Sequence, residues 1–120
     1  MNWIELDSIE KIENILNKSN SERVLIFKFQ PRRIVDILIR GLLERDWYSG
    51  EMGMDIYFLN VAEHTGTTEK VNSLFKVPDD TPQVLIIENE KCIYSAIAGN
   101  IYYDKIRPYS NVLNKISQDA

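Results

Sequence analysis

Val24-Leu25-Ile26-Phe27 is an apolar run with no polar residue alternating between its members. Such a run is typical of a central strand whose two faces are both buried, as in a parallel sheet. Pro31 follows shortly after it, and proline is favoured at the first position of a helix. A second apolar run at 56–59 predicts the next strand. The order strand, helix, strand predicts a right-handed crossover between two parallel strands.

The helix that begins at Pro31 is predicted to end near Asp46, and the residues from 47 to 54, with two glycines, are predicted to form a loop. The apolar residues of this helix share one face, as in an amphipathic helix. They are Ile34, Ile37, Leu38, Gly41 and Leu42.

The remaining segments complete the pattern. Asp7 or Ser8 is predicted to cap a first helix, and Thr67 or Thr68 to start a short one that stops at Pro78. Two apolar runs, separated by four polar residues, predict an antiparallel hairpin. They are 84–87 and 92–96. A last amphipathic helix, which Pro108 kinks or delays, uses Ile106, Val112, Leu113 and Ile116.

The resulting order is α-β-α-β-α-β-β-α, an α/β fold. A strand–helix–strand unit that leads into a hairpin and ends in a helix is the thioredoxin topology. We therefore predict a thioredoxin-like domain with a central mixed sheet of four strands flanked by helices. No repeat, low-complexity tract or linker interrupts the chain, so we expect residues 1–120 to form a single domain.

Composition excludes several classes of function. The net charge of −4 argues against a broad phosphate-binding surface and therefore against nucleic-acid binding. No apolar run approaches the ~20 residues that span a bilayer, and the N-terminal residues do not resemble a signal peptide. The single cysteine, Cys92, cannot form an internal disulfide, which suits a reducing compartment. We expect a cytoplasmic protein.

Three segments carry a resemblance to a known family. Residues 24–28 form a strand that leads directly into a helix, 75–84 contain Thr81-Pro82-Gln83 before the third strand, and 88–94 form the hairpin. In this order and spacing they resemble the monothiol bacilliredoxin-like (YtxJ-type) family of thioredoxin-fold proteins. The resemblance, which extends over nearly the whole chain, implies thiol exchange that removes bacillithiol from proteins.

The chain departs from that family at the reactive site. The family carries Lys-His-Ser-x-x-Cys-x-Ile-Ser between strand and helix, whereas here the segment 28–36 has Phe29 for the histidine and Arg33 for the nucleophilic cysteine. Exchange requires attack by a thiolate, and arginine offers no nucleophile. We therefore expect no catalytic residue here and no cofactor, and a protein that acts by binding a protein, a low-molecular-weight thiol or a small anion.

Arg32 and Arg33 are the first candidates for such binding. At a helix N-terminus two cations oppose the helix dipole by about 0.3–1 kcal/mol each, so their placement there asks for an explanation. Two guanidinium groups with free N–H donors would bind a carboxylate, phosphate or sulfonate. The plainer interpretation, which the small cost favours, is that both side chains extend into water and that Asp36 offsets part of the repulsion.

Thr81 and Pro82 are the second pair of candidates. Thioredoxin folds place a cis-proline here, facing the active-site helix, and the residue before it pairs its backbone with an extended substrate. The resemblance therefore implies a retained peptide-binding edge. A purely structural turn that directs the third strand explains the same residues equally well.

The alternative function is a thiol–disulfide oxidoreductase that uses Cys92 or a thiol supplied by a partner. Cys92 is predicted to lie on a hairpin strand, where a free cysteine usually acts as a small buried hydrophobe. His64, the only histidine, is predicted to be a solvated loop residue, and a single histidine does not indicate a metal site. Several tyrosines offer either a partner surface within a larger assembly or a cover for the end of the sheet. They are Tyr94, Tyr102, Tyr103 and Tyr109.

Overall fold

The computed structural model describes residues 1–113. Its strands are β1 (Trp3–Glu5), β2 (Val24–Phe29), β3 (Asp55–Asn60), β4 (Gln83–Glu88) and β5 (Lys91–Ile97). Its helices are α1 (Ile9–Ser19), α2 (Ile34–Asp46), α3 (Ser49–Met52), α4 (Thr65–Phe75) and α5 (Tyr103–Ile106). Single 3₁₀ turns at Ala98–Asn100 and Arg107–Tyr109 flank α5.

The strands form one mixed sheet in the order β1-β3-β2-β4-β5. Strands β1 and β2 both run parallel to β3, while β4 is antiparallel to β2 and β5 antiparallel to β4. The predicted α/β architecture with a parallel crossover and a following hairpin is therefore confirmed.

The prediction of four strands is wrong, because Trp3–Glu5 adds a fifth at the sheet edge. Three residues are too few for a strand pattern to be recognised. The Trp3 ring holds the strand in place by packing against Phe27 and Phe58, with ring centroids 5.6 and 5.9 Å away.

Strand β2 lies at the centre of the core, and all six of its residues are buried. Alternate side chains point to opposite faces: Val24 and Ile26 join the cluster that contains residues of α1 and α4, while Leu25 and Phe27 join the cluster beneath α5. This double burial explains why the strand lacks polar alternation.

Helix α2 corrects two predictions. It begins at Ile34, not at Pro31, because residues 30–33 form a turn in which the Arg33 amide donates to the Gln30 carbonyl at 3.2 Å. The apolar face predicted for it faces outward, and Ile34 and Leu38 are 74% and 61% exposed.

The opposite face of α2 is the one that packs against the protein. Asp36 and Leu43 are buried there, and the Arg40 guanidinium lies 4.6 Å from the Phe58 ring centroid. Apolar periodicity therefore identifies the wrong face of this helix, since the packing face combines Ile39 and Leu43 with a buried carboxylate and a cation–π contact.

The segment predicted as a loop contains the short helix α3. Glu51 anchors it, since Tyr103 Oη and Arg107 both hydrogen bond to its carboxylate, at 2.8 and 2.7 Å. The predicted last helix has the delayed start that Pro108 implies: α5 and a 3₁₀ turn come first, residues 111–113 are helical, and Ile116 lies outside the described residues. Among those residues, none of the helices has the length and apolar character required to cross a membrane.

Candidate functional site

The site is built at the end of β2, where the chain leaves the sheet. The Gln30–Arg33 turn joins β2 to α2, and Phe29 at its start is held by the Val61 amide, which donates to the Phe29 carbonyl at 3.1 Å. The Thr81–Pro82 peptide bond, which is cis, lies just before β4, the strand that pairs with β2 on its other side. Because β2 and β4 are antiparallel, the connection after β2 and the connection before β4 lie at the same end of the sheet.

Arg33 links the two connections. Its Nη1 donates to Thr81 Oγ1 at 3.2 Å, and its Nε lies 3.7 Å from Asp36 Oδ1. The side chain remains 57% exposed. Arg33 and Thr81 are therefore in contact, and Pro82 is buried beside them. We call the surface formed by Arg32, Arg33, Thr81 and Pro82 the Arg33 groove.

Arg32 takes a looser position. It lies in the turn before α2, it is exposed, and it makes no ion pair within residues 1–113. Neither arginine is inside the first turn of the helix, because Arg33 is the N-cap residue with an extended backbone. The predicted conflict with the helix dipole is therefore smaller than the sequence suggests.

Asp36 is the residue whose role the sequence analysis understated. Its carboxylate is fully buried; Oδ2 accepts a hydrogen bond from the Gln30 amide at 2.8 Å. Its Oδ1 has no hydrogen-bond partner among the described residues. One oxygen of the carboxylate thus holds the turn through the Gln30 amide, and the other attracts the Arg33 guanidinium. An acidic residue in the first turn of a helix was the available signal.

Lys28 is a second buried ionisable residue, and it pairs with Gln83, the residue that follows Pro82. Its Nζ donates to Asn72 Oδ1 at 2.5 Å, to Gln83 Oε1 at 2.6 Å and to the Pro78 carbonyl at 3.0 Å. Burial lowers the pKa of the Lys28 ammonium, and the charges of Asp79 and Asp80 partly offset this effect. Three acceptors match three N–H donors, which only the protonated amine has, so these contacts favour the charged form against the effect of burial.

Cys92 lies far from this groove. It pairs with Ile87 across the hairpin, and Ile87 follows Pro82 by five residues, which corresponds to about 16 Å at about 3.3 Å per residue. Its Sγ lies 3.3 Å from the Tyr94 carbonyl, and burial raises the pKa of the thiol. The arrangement lacks the features that activate a cysteine.

His64 and the tyrosines, the remaining residues considered in the sequence, do not form a common site. His64 is not the solvated residue predicted, since its side chain is only 20% exposed, against Glu5 and Glu63. The Tyr94 and Tyr109 rings pack together with centroids 4.9 Å apart, whereas Tyr103 is buried against Glu51. Tyr103 is therefore not part of a surface shared with Tyr94 and Tyr109.

The family model described as "Monothiol bacilliredoxin BrxC" matches residues 4–106. Among solved structures, the chain is similar to one titled "A putative oxidoreductase with a thioredoxin fold", at 17% identity and a TM-score of 0.71, covering 98% of this chain and 93% of that one. It is also similar to thioredoxin from Trypanosoma brucei brucei, at 16% identity and a TM-score of 0.69, with 98% and 93% covered. No curated protein matches the chain. At these identities the structural similarities establish the thioredoxin fold.

Proposed function

The chain belongs to the monothiol bacilliredoxin family, and on that premise we propose that this member acts by binding and not by thiol exchange. The Arg33 groove binds an anionic group of its ligand, a carboxylate of a low-molecular-weight thiol or of a protein. The ligand occupies the place at which other members of the family carry out their chemistry.

One observation carries the proposal: a guanidinium lies where the resemblance places the nucleophilic sulfur. Arg33 reaches across the groove to the Thr81 hydroxyl, and more than half of its side chain is accessible. Guanidinium has five N–H donors in a planar arrangement that matches a carboxylate. Its contacts with Thr81 and Asp36 orient the group in advance, which lowers the entropic cost of binding.

The buried groups support this assignment. Asp36 approaches Arg33 at a single oxygen, 3.7 Å from Nε, which positions the guanidinium without forming a two-point carboxylate pair. Lys28 pairs with Gln83 across β2 and β4, and its side chain donates to Gln83 Oε1 and to Asn72 of α4, so it fixes the start of the strand that follows Pro82. An incoming carboxylate would therefore meet an oriented donor at Arg33.

The alternative, a thiol–disulfide oxidoreductase that uses Cys92, has less support. Burial raises the pKa of this thiol, and thiolate is the reactive form. A single cysteine suits a reducing compartment, so we assign the protein to the cytoplasm. Wild-type protein should not reduce a bacillithiol mixed disulfide faster than the background rate. Turnover that disappears in Cys92→Ala would replace our proposal with this alternative.

Binding is tested by titrating the protein with L-malate, with reduced bacillithiol and with an acidic peptide, followed by NMR of backbone amides. We expect shifts at residues 30–36 and 81–83 with at least one probe, and about tenfold weaker binding in Arg33→Gln, since a charge-assisted hydrogen bond contributes about 1.5–3 kcal/mol. A response to malate would assign the site to free carboxylates, and one to the peptide alone would assign it to a protein.

The matched control is Arg45→Gln, which removes an exposed arginine at the other end of the same helix, where Arg45 pairs with Asp46. It should bind like wild type. Equal affinity in Arg33→Gln and wild type, or no response to any of the three probes, would refute the proposal.

A further inference from the structure

Three potential metal ligands meet at the edge of the sheet. Glu5 is the last residue of β1, and Glu63 and His64 follow β3. Because β1 and β3 are parallel neighbours, their carboxyl ends lie together, and this edge is where α/β proteins commonly bind ligands. One ligand atom from each of the three side chains lies within 4.8 Å of the other two.

The imidazole nitrogen in this cluster is unsatisfied. His64 Nε2 is a buried atom without a hydrogen-bond partner in the described part of the chain. It points between the carboxylates, 3.5 Å from Glu5 Oε1 and 3.9 Å from Glu63 Oε2. These separations are too long for good hydrogen bonds, and a buried polar atom left without a partner is unfavourable. The imidazole nitrogen therefore lies near two carboxylates without a hydrogen bond to either.

The backbone and neighbouring side chains hold two of the ligands in place. Asn60 Oδ1 accepts hydrogen bonds from the Ala62 and Glu63 amides at 3.1 and 3.2 Å, and its Nδ2 donates to Glu63 Oε2 at 3.3 Å. The His64 amide donates to the Asn60 carbonyl at 3.0 Å. Asn60 is therefore an outer partner of the type that orients metal ligands.

We propose that Glu5, Glu63 and His64 form a zinc site, with a fourth position left to water or to an external ligand. One imidazole nitrogen and two carboxylate oxygens are ligands that Zn²⁺ accepts. Bonds of about 2.1 Å in a tetrahedral site place ligand atoms about 3.4 Å apart. The 3.5 and 3.9 Å separations are close to this value, and both glutamates are exposed enough to adjust.

The charge of the cluster favours a divalent cation. The two carboxylates carry a charge of −2, and the neighbouring cation Lys11 donates to the Glu5 carbonyl at 2.8 Å and pairs with the Asp7 carboxylate at 3.1 Å. A bound ion would tie the three-residue edge strand β1 to the connection between β3 and α4. The site is separate from the Arg33 groove and shares no residue with it.

The proposal is tested with the metal alone, in a Cys92→Ala background that removes the only thiol. Titration with Co²⁺, followed by its visible absorption, should show one ion per chain, which Zn²⁺ displaces. Glu5→Gln, Glu63→Gln and His64→Gln should each weaken binding roughly tenfold or more, since even outer-shell changes cost 10–100-fold.

Glu13→Gln is the matched control, because Glu13 is an exposed glutamate on α1, and it should bind Co²⁺ like the parent. Zn²⁺ should also raise the unfolding temperature of the parent but not that of His64→Gln. An ion pair between a protonated His64 and the two glutamates predicts no Co²⁺ spectrum and no thermal shift. Either that result, or binding that His64→Gln leaves unchanged, would overturn the site.

Discussion

Arg33→Cys returns a thiol to the position of the family's nucleophile, but it places that thiol beside a buried carboxylate. The helix N-terminus favours a thiolate there by about 0.3–1 kcal/mol. Asp36 opposes it, since Asp36 Oδ1 lies 3.7 Å from Arg33 Nε. At a separation of about 5 Å and an effective dielectric constant of about 20, two unit charges interact by about 3 kcal/mol.

The carboxylate is the stronger influence, so the pKa of the introduced thiol should lie above the ordinary value of about 8.5. Asp36→Asn removes the charge and keeps an oxygen that accepts from the Gln30 amide. In Arg33→Cys/Asp36→Asn the pKa should fall by about two units, because about 1.4 kcal/mol corresponds to one unit. The helix N-terminus and Arg32 then both favour the thiolate, and the charge of Asp36 no longer opposes them.

The rate of thiol labelling against pH measures both values in a Cys92→Ala background. Asp36→Asn with Arg33 retained is the control for folding, since the buried turn must remain intact. A pKa already below about 8.5 in the single variant, and unchanged by Asp36→Asn, would mean that the carboxylate does not face position 33. The orientation of Arg33 by Asp36, on which the proposed binding depends, would then be wrong.

Three further results are expected. Lys28→Met leaves three acceptor oxygens unpaired and should lower the free energy of unfolding in urea by about 3 kcal/mol or more; a loss below about 1 kcal/mol would contradict the buried contacts. Gly53→Ala should cost about 1 kcal/mol or more, because Gly53 has φ of +52° and a Cβ there would lie 2.6 Å from Val112 Cγ2; unchanged urea denaturation would exclude this clash. Arg107 lowers the pKa of Glu51 below 4.5, so its stabilisation is present above that pH and is lost as the pH falls through the lower folded value. The difference in unfolding free energy between wild type and Glu51→Gln should shrink in acid, and a constant difference would contradict the assignment.

The sequence predicted the fold well because strands buried on both faces leave a strong signal. The segment 24–27 and the hairpin runs need no tertiary information to be recognised as strands. The edge strand Trp3–Glu5 was missed because it depends on pairing with β3 and on the contacts of a single tryptophan, neither of which produces a local pattern.

Helix α2 shows a different limit. The aliphatic residues predicted to face the core have the correct helical spacing, yet they face outward. The helix packs instead through Asp36, Ile39, Arg40 and Leu43. A periodicity argument assumes that the apolar face is the buried one. It fails where a polar group obtains its partners only from the tertiary structure, in this case the Gln30 amide and the rings beneath Arg40.

The two candidate sites also differ in how far the sequence could predict them. Arg33, Thr81 and Pro82 were identified through the family resemblance and lie together. Glu5 is about sixty residues from His64 in the chain, so only the parallel pairing of β1 with β3 brings them into one cluster. A single histidine has no informative spacing on its own.

The three partners of Lys28 come from three separate segments, and this restricts how the family can diverge. A change at Asn72 or Gln83 alone would remove one of the three acceptors of a buried ammonium, so we expect it to cost more stability than a change at an exposed position. The exposed residue at position 33 is under no such restriction. We therefore expect relatives of this chain to retain Lys28, Asn72 and Gln83 together more consistently than the residue at position 33.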